Sequence, residues 1–183
     1  MKLVILDRDG VINQDSDEFI KSAAEFVPLP GSIEAIARLS AAGYTVAVAS
    51  NQSGIGRGLF SRSALYSMHR KLRRLVAAAG GVLGKIAYCP HAPNDNCDCR
   101  KPRPGLLLRI GAYYGCSLDG VPVIGDSLRD LHAAAAVGAT PILVLTGKGG
   151  KAARELTRSG IEAQVFDDLS GAVDALLKKT RRS

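Results

Sequence analysis

The chain has no tryptophan, and aromatic residues make up only 5% of it, so it lacks the stacking surface that single-stranded nucleic acid needs. No apolar run approaches the ~20 residues that cross a bilayer. The opening stretch MKLVILDRDG turns charged after a short apolar run, which is not how a secretory leader reads. Cysteine is scarce, and three of the four fall within residues 89–99. That clustering is unlike a disulfide framework and points to a reducing, cytoplasmic setting. A glycine-rich Walker sequence is missing, which argues against a P-loop nucleotide hydrolase. With no repeat, low-complexity tract or linker, 183 residues are expected to form one domain, 1–183, with a real core.

Acidic charge is the minority. Lysine and arginine number 24 against 17 acidic residues, and the net charge of +7 favours an anionic partner. Much of the excess lies in His69-Arg70-Lys71-Leu72-Arg73-Arg74 and in the tail Lys178-Lys179-Thr180-Arg181-Arg182. Neither run has aromatics interleaved, so they read as a solvated helix face and a frayed end. The expectation is a monomer acting on a small anionic substrate, with no nucleic-acid or membrane partner.

What is present is an alternation. Short β-rich apolar runs at 3–7, 45–50, 86–89, 122–125, 141–145 and 163–166 predict strands. Helical periodicity covers 32–42, 62–79, 105–114, 128–137, 152–159 and 169–178. This predicts an α/β fold: a Rossmann-like, mostly parallel sheet with helices on both faces. The elements use nearly all of the chain, leaving no room for a cap domain. Functional residues of such sheets gather at the carboxyl ends of the strands. Three predicted strands end in chemically useful groups: Asp7, Ser50-Asn51 and Asp126. If the first strand lies between the second and the fourth, all three meet at one crevice.

Asp7-Arg8-Asp9-Gly10 follows the first strand, and the i, i+2 spacing puts both carboxylates on one side with Arg8 turned away. Two carboxylates joined by Asp126 repel one another unless a cation sits between them, and Mg²⁺ suits that donor set. The chemistry that fits is phosphoryl transfer to a carboxylate. Asp7 would be the nucleophile and Asp9 the general acid and base. Ser50 and Lys101 would hold phosphate oxygens where charge builds up.

A second metal site is legible in CPHAPNDNCDCRKP, residues 89–102. Cys89, His91, Cys97 and Cys99 supply three thiolates and an imidazole, a set that suits tetrahedral Zn²⁺ and leaves no open position for a water. The zinc is therefore expected to be structural, holding the loop that ends in Arg100 and Lys101. Burial of unliganded thiols is disfavoured because the loop is a polar turn. Cys116 is expected to be a packed thiol.

LDRDGVIN, VAVASNQSG, RKP and VIGDSLRD resemble, in order and across most of the chain, the four motifs of the haloacid-dehalogenase superfamily of phosphatases. With CPH…CDCRKPRPG, they resemble more narrowly the D-glycero-D-manno-heptose 1,7-bisphosphate 7-phosphatases, relatives of the histidinol-phosphate phosphatases. The resemblance implies Mg-dependent hydrolysis of the 7-phosphate through an aspartyl-phosphate, in heptose and lipopolysaccharide precursor synthesis. It implies Mg²⁺ on Asp7, the Asp9 backbone carbonyl and Asp126, and substrate recognition by Arg100. It also implies substrate contacts at Asp15, Ser16, Asp17, Glu18, Asn51, Gln52 and Ser53, and Arg57 could join Arg100 on a second phosphate or on sugar hydroxyls. Histidinol phosphate and a nucleic-acid 3′-phosphate remain alternative substrates. Two departures stand out: the segment after the first motif lacks a GYV-like turn, and Ser127 replaces a common lysine. Asp130 is either a partner of the metal shell or an acid of a helix N-terminus, the latter slightly favoured.

Overall fold

The computed structural model describes residues 1–180, so Arg181 and Arg182 of the basic tail lie outside the described residues. Six strands form one parallel sheet: β1 (Lys2–Leu6), β2 (Tyr44–Asn51), β3 (Ile86–Cys89), β4 (Pro122–Gly125), β5 (Thr140–Val144) and β6 (Gln164–Phe166). Their order is β3-β2-β1-β4-β5-β6, which puts β1 between β2 and β4 as expected. Sequence order reverses there, and that reversal opens the crevice in which α/β proteins place ligands.

The strands alternate their side chains between two cores, as a sheet covered on both faces requires. Val4, Leu6, Val46 and Val48 pack on one side against Ile33, Ile36, Leu65, Met68, Leu72 and Val173. Those residues come from α1 (Ser32–Ala41), α3 (Arg62–Ala78) and α7 (Leu169–Thr180). Leu3, Ile5, Ala47 and Ala49 face the other side and meet Leu106, Leu107, Ile110, Ala133 and Ala134. These belong to α4 (Gly105–Tyr114) and α5 (Leu128–Ala135). Beyond β4, Leu143 packs with Leu131 and with Ala152 of α6 (Gly149–Ser159).

Helix α6 starts three residues before its sequence pattern does, because two glycines open it and glycine carries little helical signal. The four-residue α2 (Ser53–Gly56) was not foreseen, being too short for periodicity to show. Helix α1 ends where expected, with Gly43 at φ 80 supplying the left-handed exit. The cations of α3 are partly engaged in the fold. Lys71 donates to the Ala23 carbonyl, and Arg73 to the carbonyls of Leu83 and Gly84, leaving Arg70 and Arg74 in solvent.

The largest irregular segment runs from residue 7 to residue 31. It doubles back on itself: Gln14 N–H donates to the Val27 carbonyl and Leu29 N–H to the Ile12 carbonyl, each at 2.9 Å. Val11, Ile12, Ile20 and Phe26 anchor it in the first core. Residues 15–25 are thereby carried as a flap beside the strand ends.

Candidate active site

Asp7 immediately follows β1, and its N–H donates to the Ile124 carbonyl of β4 at 2.8 Å, which fixes it at the crevice. Its Oδ1 lies 3.0 Å from Lys101 Nζ. Lys101 is only 3% exposed, and it also meets Asp130 Oδ1 at 2.5 Å and the Ala49 carbonyl at 2.7 Å. Burial alone would favour the neutral amine, but Asp130 and Asp7 beside it raise its pKa to about 12. Asp7, Asp126 and Asp130 each place a carboxylate oxygen within 4.8 Å of the others. Burial, reinforced by Asp130, Asp126 and Asp9 and opposed by Lys101, pushes Asp7 up to about 8. Burial and Asp130 push Asp126 up to about 7 against the N–H of Lys148, which donates to its Oδ2 at 2.8 Å. Carboxylates destabilised in this way are the electrostatic signature of a site shaped for a divalent cation, so the donor set fits Mg²⁺.

Asp130 caps its helix and also stands in the acidic cluster. Its Oδ2 caps α5 by accepting from the Ser127 N–H and hydroxyl, while its Oδ1 faces Lys101 in the acidic cluster. The Asp126 carboxylate is walled by two glycines. A Cβ at Gly10, which sits at φ 82, would lie 2.0 Å from Asp126 Oδ2, and one at Gly147 would lie 2.2 Å from it. Thr146 Oγ1 donates to the Gly10 carbonyl at 2.6 Å and holds the two glycine segments together.

Arg8 corrects the sequence reading: it is turned back under Asp9 instead of away from it. It has no exposed surface, and its guanidinium reaches Asp9 Oδ1 through Nε at 3.0 Å and Nη2 at 2.7 Å. Asn13 Nδ2 and Gln52 Nε2 each donate to Asp9 at 2.8 Å. Burial would raise the Asp9 carboxyl, but the Arg8 charge and these hydrogen bonds hold it below the usual carboxylate range. Burial thus drives Asp7 toward its neutral form while Arg8 holds Asp9 ionised; a cation on Asp7 and phosphate charge beside Asp9 would each act against those shifts.

Ser50 is 1% exposed and its Oγ accepts from Gln52 Nε2 at 2.6 Å. Asn51 turns to the main chain of Lys101: its Nδ2 donates to the Lys101 carbonyl at 3.0 Å and its Oδ1 accepts from the Lys101 N–H at 3.1 Å. Asp7, Asp9, Asn51, Gln52, Lys101 and Asp126 open on a cavity of about 210 Å³, and Ser50 lies behind its lining. Asp15, Ser16, Asp17, Ser53, Arg57 and Arg100 line it; Glu18 does not and stands exposed in the flap. Arg100 has a buried Nη1 with no partner, and burial together with the charges of Arg129 and Arg57 lowers its pKa. Arg57 lies over the Phe19 ring at 5.7 Å, and Phe19 itself takes a positive φ of 64.

Arg129 and Lys148 also line the cavity, and the sequence reading missed both. Lys148 Nζ pairs with Asp15 at 2.8 Å and with Asp17 at 3.7 Å, tying the loop after β5 to the flap. Lys148 lies four residues past the end of β5, too far for the strand-end rule that picks out Asp7, Ser50 and Asp126.

Cys89, His91, Cys97 and Cys99 converge beside this cavity with their ligand atoms within 4.8 Å of one another. Cys89 Sγ lies 3.6 Å from Cys97 Sγ and 3.5 Å from His91 Nδ1; Cys99 Sγ lies 3.7 Å and 3.3 Å from the same atoms. Tetrahedral zinc, with bonds of about 2.3 Å to sulfur and about 2.0 Å to nitrogen, requires S–S near ~3.8 Å and S–N near ~3.5 Å. The cluster fits that ion. Contrary to the expectation from its polar loop, Cys89 and Cys99 are buried in the second core, where they anchor the cluster to the sheet. Cys116 is apart from it, packed against the same core.

Sheet order, strand-end aspartates and a buried lysine together define a hydrolase of the haloacid-dehalogenase class, and a HAD-hydrolase-like family model matches residues 98–172. A D-glycero-β-D-manno-heptose-1,7-bisphosphate 7-phosphatase of Pseudomonas aeruginosa is 56% identical over 96% of this chain and 98% of its own length. The crystal structure of the D,D-heptose 1,7-bisphosphate phosphatase of Bordetella bronchiseptica, complexed with magnesium and phosphate, superposes with a TM-score of 0.93. It is 51% identical and covers 98% of this chain and 99% of that one. The corresponding enzyme of Burkholderia thailandensis gives a TM-score of 0.75 at 45% identity over 97% and 99% of the two chains. The chain belongs to the heptose 1,7-bisphosphate 7-phosphatase family.

Proposed function

We propose that the protein hydrolyses the 7-phosphate of D-glycero-β-D-manno-heptose 1,7-bisphosphate through a phosphorylated Asp7, in the supply of heptose for lipopolysaccharide. The carrying observation is the Asp7–Lys101–Asp130 arrangement at the strand ends, in a chain whose full-length relatives bear that activity in their names. An Asp7 carboxylate oxygen attacks phosphorus as the bond from phosphorus to the sugar oxygen breaks. Asp9 gives its proton to that departing oxygen. Substrate charge acts against Arg8 here, since a phosphate dianion beside Asp9 raises its carboxyl. In the second half Asp9 takes a proton from the water that attacks phosphorus, and the bond to Asp7 breaks. Lys101 and the Ser50 hydroxyl hold the equatorial oxygens, where negative charge is stabilised.

Mg²⁺ held by Asp7, the Asp9 backbone carbonyl and Asp126, with Asp130 alongside, would neutralise phosphate charge. Zn²⁺ on Cys89, His91, Cys97 and Cys99 would hold the loop that presents Arg100. Arg100 and Arg57, with Asp15, Ser16 and Asp17 of the flap and Asn51, Gln52 and Ser53 at the end of β2, shape the pocket for the sugar and its second phosphate. The proposal includes a single phosphatase domain acting as a monomer in the reducing cytoplasm.

The test is kcat/KM for the β- and α-anomers of the heptose bisphosphate, histidinol phosphate and a 3′-phosphorylated oligonucleotide, with Asp7→Asn as the inactive control. The β-anomer should lead by at least about tenfold, and comparable low rates on all four would overturn the assignment.

A further inference from the structure

Arg8 is the largest fully buried side chain, and it is a cation. Beyond Asp9 and Gln52 its surroundings are the Met68 sulfur, 3.9 Å from Nη1, the Phe26 ring at 5.9 Å, and the His69 imidazole, which burial and the Arg8 charge keep neutral. A buried charge of this kind persists only where paired hydrogen bonds offset its desolvation. A framework ion pair would end on another framework residue, whereas this one ends on the carboxylate assigned to proton transfer.

The guanidinium also sets a chain of orientations. Arg8 can only donate, so its Nη2 contact at 3.2 Å obliges Gln52 to present its amide oxygen. The amide nitrogen of Gln52 then faces Asp9 Oδ2 at 2.8 Å and Ser50 Oγ at 2.6 Å. Because Ser50 accepts from Gln52, its own hydrogen is left to donate to a phosphate oxygen.

We propose that Arg8 is a positioning residue, which fixes the Asp9 carboxylate for leaving-group protonation and, through Gln52, aims the Ser50 hydroxyl. This rests on the reading of Asp9 as the proton donor. It assigns Arg8 no contact with substrate.

The test compares esters that differ in their need for a proton. An alkyl phosphate such as glycerol phosphate leaves as an alkoxide and needs one; p-nitrophenyl phosphate leaves as a stabilised anion and does not. Arg8→Lys keeps the buried charge and the fold but loses the bidentate hold. It should lower kcat/KM for the alkyl ester about tenfold more than for the aryl ester, because kcat/KM reports formation of the aspartyl-phosphate and not its hydrolysis, a step common to both esters. The single-turnover burst of nitrophenolate should keep its amplitude. Arg8→Met should show the larger form of the same split, and a melting curve reports whether it folds. Asp9→Asn is the reference. If Asp9→Asn splits the two esters and Arg8→Lys lowers both equally, the inference about Arg8 is wrong. If Asp9→Asn does not split them, the Asp9 reading fails first and the inference falls with it.

Discussion

Removing zinc should separate two residues that the sequence makes neighbours. Arg100 and Lys101 both follow the ligand Cys99, so a purely sequential view has the metal holding them equally. The structure gives Lys101 a second anchor, the two hydrogen bonds between its main chain and the Asn51 amide. At about 1 kcal/mol net for each bond, Asn51 contributes about 2 kcal/mol, a factor of about 30 in the population that keeps Lys101 in place. Arg100 is tied only within its own loop, where the Arg103 N–H donates to its carbonyl at 2.9 Å, and its Nη1 is unpartnered. Chelation of zinc in Cys97→Ser, checked by metal content, should therefore raise KM about tenfold as Arg100 loosens. The value of kcat should fall less than about threefold while Asn51 is present. Asn51→Ala alone should be mild because the metal still holds the loop. Combining the two should drop kcat toward that of Lys101→Ala, a non-additive loss read from steady-state kinetics. The reasoning is refuted if zinc loss alone takes kcat to the Lys101→Ala level, or if the two changes simply add.

The Gly10 position gives a sharper steric test. Gly10→Ala incurs about 1–2 kcal/mol of left-handed backbone strain and drives a methyl into the Asp126 carboxylate. Gly43→Ala, at φ 80 with nothing within 4 Å, suffers the strain alone. Both should melt lower, but only Gly10→Ala should raise the Mg²⁺ concentration for half-maximal activity, by about tenfold or more; an unchanged requirement would contradict the wall. Without metal, Asp7 and Asp126 stay protonated in the folded chain to about pH 8 and about 7, while in the unfolded chain they ionise near pH 4. The folded state therefore binds more protons across that interval, and stability falls as pH rises through it. Asp9, shifted the other way, acts only below that window. Melting temperatures of the zinc-loaded protein without Mg²⁺ should decline from pH 5.5 to 8.5, and added Mg²⁺ should restore most at the alkaline end; a flat profile would count against burial as the cause.

Most of the strand-end cluster was legible because strand ends can be read from apolar runs, and four such ends carry the acids, the hydroxyl and the first cysteine of the Cys/His cluster. Asp7, Ser50, Cys89 and Asp126 follow from that rule, and Lys101 from its place after the metal loop. The alternation rule misplaced Arg8, since a two-residue period describes a strand and the chain leaves β1 after Leu6. Arg129 and Lys148 were lost for a different reason. Neither belongs to a spacing pattern, and what brings them to the cavity is the rightward half of the sheet order, which only long-range packing decides. Gln52, read as a substrate contact, lines the cavity, and both ends of its amide are also engaged by Arg8, Asp9 and Ser50. No local pattern announces a glutamine that faces inward.

The main-chain seam at 12–14 and 27–29 has one consequence for how this scaffold can change. Everything between those two short segments is a module hung from a hinge whose bonds are made by backbone groups, indifferent to side-chain identity. Asp7 and Asp9 lie on one side of that hinge, Asn13 is part of it, and Asp15, Ser16 and Asp17 lie within the module. Exchanging the module could therefore redraw which alcohol the pocket grips while the phosphate chemistry stays fixed. A protein built this way can diversify its substrates by loop replacement, with no need to acquire a separate covering domain.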